Sequence, residues 1–133
     1  MTYTKLTVAL GLGVTLLVLG ARSLPAQEGI KRTDVQTANL SVPGREVVQQ
    51  LVEFQPGVVV DRHTHPGEEV GAILEGTIQL EVAGKPPVTL KAGQGFVVPP
   101  NTPHGAKNVN SGVSKLLATY IVEKGKPLRS PAP

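Results

Sequence analysis

From about residue 46 onward, the apolar positions come in short runs cut apart by glycine and proline. VVQQLVEF (47–54) gives way to Gln55-Pro56-Gly57, and VVVDRHTH (58–65) follows before Pro66-Gly67. EVGAIL (69–74) and TIQLEV (77–82) flank Glu75-Gly76, the composition of a tight hairpin. AGKPP (83–87) predicts a turn before VTL (88–90), KAGQG (91–95) another before FVV (96–98), and PPNTP (99–103) a proline-dense loop. The last run, SKLLATYIVE (114–123), fits a strand or a helix equally well by pattern. No other stretch in this region carries a helical period. Many short strands at this spacing predict an all-β sandwich or small antiparallel barrel over residues 46–123. Prolines at turns and tails agree, since proline cannot donate to a strand ladder. Residues 27–45 read as an extended N-terminal arm. Residues 124–133 (KGKPLRSPAP) read as a flexible tail whose single core-forming side chain is Leu128.

The first 26 residues follow a different rule. Lys5 precedes LTVALGLGVTLLVLG (6–20), an uncharged apolar stretch that ends near small residues. That is the layout of a secretory signal, with cleavage after Ser23 or after Ala26. The apolar stretch is shorter than the roughly 20 residues a membrane span requires. No cysteine follows it, so lipid attachment there is excluded. The expectation is a periplasmic or secreted protein without a stable membrane anchor.

This segment also changes the charge picture. The whole chain carries a formal charge of +3, from thirteen basic and ten acidic residues. Lys5 and Arg22 lie within the first 26 residues, which hold no acid, so eleven basic residues face ten acidic ones in the remainder. There is no basic run, and the aromatics are only Tyr3, Phe54, Phe96 and Tyr120. Neither an electrostatic footprint nor a stacking platform for nucleic acid is present. The chain has no cysteine, which excludes disulfides, thiolate metal clusters and a cysteine nucleophile. No glycine-rich loop lies between a strand and a helix, so no nucleotide cofactor is expected.

The candidate chemistry lies in HTHPGEE (63–69) and in the third histidine of the chain, His104. Two residues apart on a strand, His63 and His65 project to one face. Neutral imidazole is the commonest metal ligand, and three with one carboxylate make a sound set for a first-row metal. An H-x-H pair alone is just as well a solvated surface pair. The spacing around it decides. Gly57 is followed by five residues, His63-Thr64-His65, three residues, Glu69, six residues and Gly76. Gly93 is followed by five residues, Pro99-Pro100-Asn101, two residues, His104, three residues and Asn108. In these two motifs the sequence resembles the cupin superfamily, whose members are small β-barrels or jelly rolls with a mononuclear metal site. The one departure is Asn101, where glycine is usual, and asparagine tolerates the same left-handed backbone.

The resemblance implies that His63, His65, Glu69 and His104 are the ligands of one divalent metal: Fe, Mn, Ni, Cu or Zn. It also selects Glu69 over Glu68, because only Glu69 leaves six residues before Gly76. Parity then places Gly71 and Ile73 beside Glu69 in the pocket and Glu68 outside. Phe96 is a second pocket candidate. Asp61, on the His63 face by parity, is the one nearby additional acid. The family resemblance further implies a homodimer, with the arm at 27–45 as an element that could be exchanged. The function expected is that of a quercetinase-like enzyme acting on a small oxygenated metabolite, by dioxygenase or proton-transfer chemistry, with Glu69 available as a base. The competing expectation is a binding module that takes a sugar acid or other anionic metabolite at the metal without turnover.

Overall fold

A computed structural model describes residues 27–133; the segment read as a secretory signal lies outside the described residues. Ten strands run in order: β1 (Ile30–Asn39), β2 (Arg45–Phe54), β3 (Val59–Thr64), β4 (Gly67–Glu75), β5 (Thr77–Val82), β6 (Val88–Lys91), β7 (Gly95–Val98), β8 (His104–Asn108), β9 (Ser114–Glu123) and β10 (Ser130–Pro131). Every pairing is antiparallel. One sheet has the order β1-β2-β9-β4-β7 and the other β10-β3-β8-β5-β6. This is the jelly roll of the expected all-β class, in a single domain.

The ambiguous run at 114–123 is β9, and burial shows why. Ser114, Leu116, Ala118, Tyr120 and Val122 are buried while the residues between them are only partly so, a strict period of two. A helix would have scattered these side chains around its axis. The inward faces of the sheets meet in a core of Val52, Phe54, Ile73, Ile78, Leu80 and Leu116, among others.

Three segments differ from the sequence expectation. Residues 30–39 form a full strand, hairpinned onto β2 from Ile30↔Phe54 to Asn39↔Glu46. Most of their exposed residues are polar, Val35 and Ala38 apart, so the hydrophobic pattern was too weak to mark a strand. The turn at Glu75-Gly76 closes no hairpin: β4 pairs with β7 and β9, and β5 with β6 and β8. It is instead a corner at which the chain changes sheets. Gly76 holds a φ of 79°, and a Cβ there would lie 2.2 Å from Ser114 Oγ. The tail is not free. Ser130 and Pro131 pair with Thr64 and His63, and the Ala132 amide donates to the Arg62 carbonyl at 3.1 Å.

Candidate metal centre

The four residues singled out by the motif spacing come together. His63 sits near the end of β3 and His104 opens β8, and the two are direct cross-strand partners. His65 lies just beyond β3. Its carbonyl accepts from the Asn101 amide at 2.9 Å, which anchors the proline-rich loop against it. Asn101 has a φ of 52°, the left-handed conformation expected of the residue at that motif position. Glu69 faces inward from β4, opposite Tyr120 and Val98 on the neighbouring strands. One ligand atom from each of the four side chains lies within 4.8 Å of the others, and all four residues are buried.

The backbone fixes the chemistry of the imidazoles. Nδ1 of His63 lies 2.7 Å from the Asp61 carbonyl, and Nδ1 of His104 lies 2.8 Å from the Thr102 carbonyl. Nδ1 of His65 meets the Leu128 carbonyl. A carbonyl oxygen can only accept, so each Nδ1 carries the proton and each Nε2 presents a lone pair. Arg129 Nη2 is 3.3 Å from His63 Nδ1, but it donates to the same Asp61 carbonyl at 3.2 Å and leaves this tautomer in place.

Glu69 Oε2 lies 2.9 Å from His104 Nε2 and 3.3 Å from His65 Nε2. The His65 Nε2 atom is buried and has no aligned hydrogen-bond partner. Three converging lone pairs and a carboxylate repel one another unless a cation lies among them. The donor set therefore fits a divalent metal, held by His63, His65, Glu69 and His104, with their outer hydrogen bonds already in place.

The electrostatics agree. Burial, reinforced by Arg129 and the neighbouring imidazoles, pulls the His63 pKa down to about 3 against a hydrogen-bonding effect of the Asp61 carbonyl. His63 is thus neutral at physiological pH. Burial pushes the Glu69 carboxyl up, but in the cation-free cluster, with the proton on Nε2 instead, hydrogen bonding to His104 and then His65 outweighs it and holds the pKa at about 2. Tyr120, in ring contact with His65 at a centroid distance of 4.5 Å, is pushed far up by burial and then by the Glu69 charge, so it stays a neutral phenol.

Three residues of the cluster, His63, Glu69 and His104, line a cleft of about 440 Å³, a volume that includes open solvent. His63, Glu69, His104, Phe96, Tyr120 and Arg32 contribute to its lining. Phe96 is one of the wall residues. Ile73 is not: it is buried in the apolar core, and its parity with Glu69 takes it past the pocket. Gly71 lies under the Phe96 ring, where a Cβ would come within 2.2 Å of the ring carbons. Asp61 also departs from expectation. The β3–β8 register slips between Val60 and His63, so parity breaks there and Asp61 turns out to solvent. Only its backbone carbonyl serves the site. Glu68 stays outside the cluster, half-exposed.

Arg32, Tyr120, Leu128 and Arg129 escaped the sequence reading. Tyr120 could have been found from its parity with Leu116 and Ala118 once β9 was taken as a strand. The contributions of Leu128 and Arg129 had no local signal, because they come from a tail with little hydrophobic pattern.

A jelly roll whose buried three-histidine, one-carboxylate cluster could hold a metal ion beside a solvent-open cleft defines a small β-barrel protein with a candidate metal site. The chain belongs to the cupin family: the cupin domain profile matches residues 50–120. Over 94 residues it is 30% identical to the HTH-type transcriptional regulator PuuR of Escherichia coli (strain K12), covering 70% of this chain and 49% of PuuR. The chain thus spans about half the length of the curated relatives it matches. Among solved structures, it resembles an uncharacterized conserved protein with a double-stranded β-helix domain from Klebsiella pneumoniae, with TM-score 0.64 and 20% identity, over 84% of this chain and 90% of that one. It also resembles the DMSP lyase DddQ from Ruegeria pomeroyi, with TM-score 0.59 and 23% identity, over 65% of this chain and 43% of that one. At these identities the structural likeness speaks for the fold.

Proposed function

We propose that this chain is an exported, metal-dependent cupin enzyme that acts on a small oxygenated metabolite, in the manner of quercetinase-like cupins. The observation that carries the reading is the converging set of Nε2 atoms and the Glu69 carboxylate, each imidazole oriented by a backbone carbonyl, at a cavity open to solvent. A divalent metal bound there supplies Lewis acidity toward a substrate hydroxyl, enol or carbonyl oxygen. The protein's own part is to seat that oxygen at the cluster, in a cleft whose walls include the Phe96 ring. Glu69, the carboxylate in the cavity lining, is the base this reading assigns once substrate displaces it from the cluster. Export is part of the proposal. The mass of the protein recovered outside the cytoplasm should correspond to a chain starting at Leu24 or Gln27.

A second reading is favoured by the resemblance to PuuR, a transcriptional regulator by name. On that reading the cavity binds a metabolite at the metal without turnover. One experiment addresses both. Purified protein without a histidine tag is analysed for metal beside His104→Ala, then assayed for oxygen uptake and product formation against a panel of hydroxy acids, enols and flavonols. The enzyme reading expects one metal per wild-type chain, at least a tenfold loss in the variant, and turnover by the loaded protein. Saturable binding with no turnover across the panel moves the assignment to the binding module. Equal metal content in wild type and variant overturns the metal centre itself.

A further inference from the structure

Arg32 is a cation on a largely apolar wall. It lies on β1 opposite Val52, two residues from the buried Ile30, and its half-buried side chain lines the same cavity as Glu69, His63 and His104. The surrounding wall is apolar: Val52, Phe54, Leu116 and the Phe96 ring. A guanidinium facing such a wall ordinarily pairs with an acid. Among the described residues, Arg32 forms no ion pair and no side-chain hydrogen bond. The acid in the cavity lining, Glu69, is already engaged with His104 and His65. Residues 1–26 contain no Asp or Glu, so that segment cannot supply a counter-charge.

A second guanidinium adds to the imbalance. Burial and then the charge of Arg32 pull the Arg129 pKa down, which places the two cations within each other's field. Arg129 is occupied with the Asp61 carbonyl, while its Nε is buried without a partner. Arg32 has no such commitment.

We propose that Arg32 is the specificity-determining residue of the cavity and that the ligand is a small carboxylic acid bearing a second oxygen. The carboxylate pairs with the Arg32 guanidinium at one wall, while the second oxygen points toward the histidine–glutamate cluster. The planar fork of arginine suits a bidentate carboxylate, which sets direction as well as charge. Both oxygens must be reached from within one cleft, so short hydroxy acids are the natural probes. This rests on the metal reading above and goes further by naming the ligand class.

The test pairs acids with uncharged counterparts of the same shape. Glycolate and lactate are titrated against glycolamide and lactamide on Co(II)-loaded full-length protein, read by calorimetry and by the visible Co(II) spectrum. Wild type is compared with Arg32→Met and Arg32→Lys, and metal content is measured for each. The expected result is a preference for acid over amide of about tenfold or more in wild type. The preference should fall to near unity in Arg32→Met and be partly restored in Arg32→Lys, with cobalt content unchanged. A wild-type preference that survives in Arg32→Met overturns the proposal, because the metal alone would then be selecting the acid. Equal binding of acid and amide by wild type, or binding of neither, overturns the ligand class. Failure of wild type to hold cobalt is a separate result and counts against the metal reading.

Discussion

At the scale of single residues, His63 shows how burial prepares a ligand. In the unfolded chain its imidazole takes a proton near 6.5, whereas in the folded protein it resists until about 3. Across that window the unfolded chain binds the extra proton, so this part of the stability is complete above about 6.5 and drains away as pH falls toward 3. Glu69 acts in the same direction at lower pH: its contribution is present above about 4.5 and is lost as pH falls through about 2. Metal-free protein should therefore lose about 2 kcal/mol between pH 7 and pH 5. Urea titrations at the two pH values measure this, and His63→Gln should flatten the difference. A wild-type profile that is already flat would mean that the imidazole is solvated. The residue scale also shows the limit of parity arguments. The alternation that put Asp61 beside His63 assumed a regular β3, and one slipped register between Val60 and His63 sends the carboxylate to solvent. Nothing in VVVDRHTH marks that slip. The spacing of Glu69 from Gly76 carried better, because both ends of β4 are pinned by close packing: Gly67 against the Ile121 backbone and Gly76 against Ser114.

At the scale of elements, runs with dense apolar alternation were legible and sparsely patterned ones were not. β5 and β9 have the bounds that TIQLEV and SKLLATYIVE suggest. β1 and β10 were hidden because polar outward faces and a short edge pairing leave little hydrophobic signal. The cost of missing β10 is functional, since the C-terminal segment carries the Leu128 carbonyl that holds His65 and the Arg129 guanidinium that braces the Asp61 carbonyl beside His63. Ending the chain at Lys126 removes both while leaving all four ligand side chains. His65 could then rotate or change tautomer, and metal affinity should fall by about ten- to a hundredfold. Competition against a chromophoric chelator reads this, and a circular dichroism melt checks that the barrel remains folded. An unchanged affinity in a folded truncated protein would show that the tail plays no part in ordering the site.

At the scale of the whole molecule, the candidate metal centre depends on two sheets being held at a fixed separation, because Glu69 belongs to one and His63 and His104 to the other. The final asparagine of the second motif supplies part of that hold. Asn108, 1% exposed at the end of β8, reaches across to the other sheet. Its Nδ2 lies 3.0 Å from the Phe54 carbonyl, 3.1 Å from that of Gln55 and 2.9 Å from that of Gly112. Its Oδ1 accepts from the Asn110 amide at 2.9 Å and from Ser114 Oγ at 2.8 Å. Because the Asn110 N–H can only donate, the amide orientation is set. One side chain thereby ties β2, β8 and the start of β9 together at the end of the barrel away from the histidines. The sequence motif marked the position, but its role needed the fold, since its partners lie more than fifty residues away in one direction and on the next loop in the other. Asn108→Asp keeps the size of the side chain and replaces its donor with an oxygen facing three carbonyls. Leaving those acceptors unmet and burying a charge beside them should destabilise the protein by about 3 kcal/mol or more. Asn108→Ser keeps a hydroxyl donor, one bond shorter, introduces no charge and should cost less. Urea unfolding of the metal-free proteins ranks the two variants, and an Asn108→Asp protein within about 1 kcal/mol of wild type would mean that the sheets are held by core packing alone.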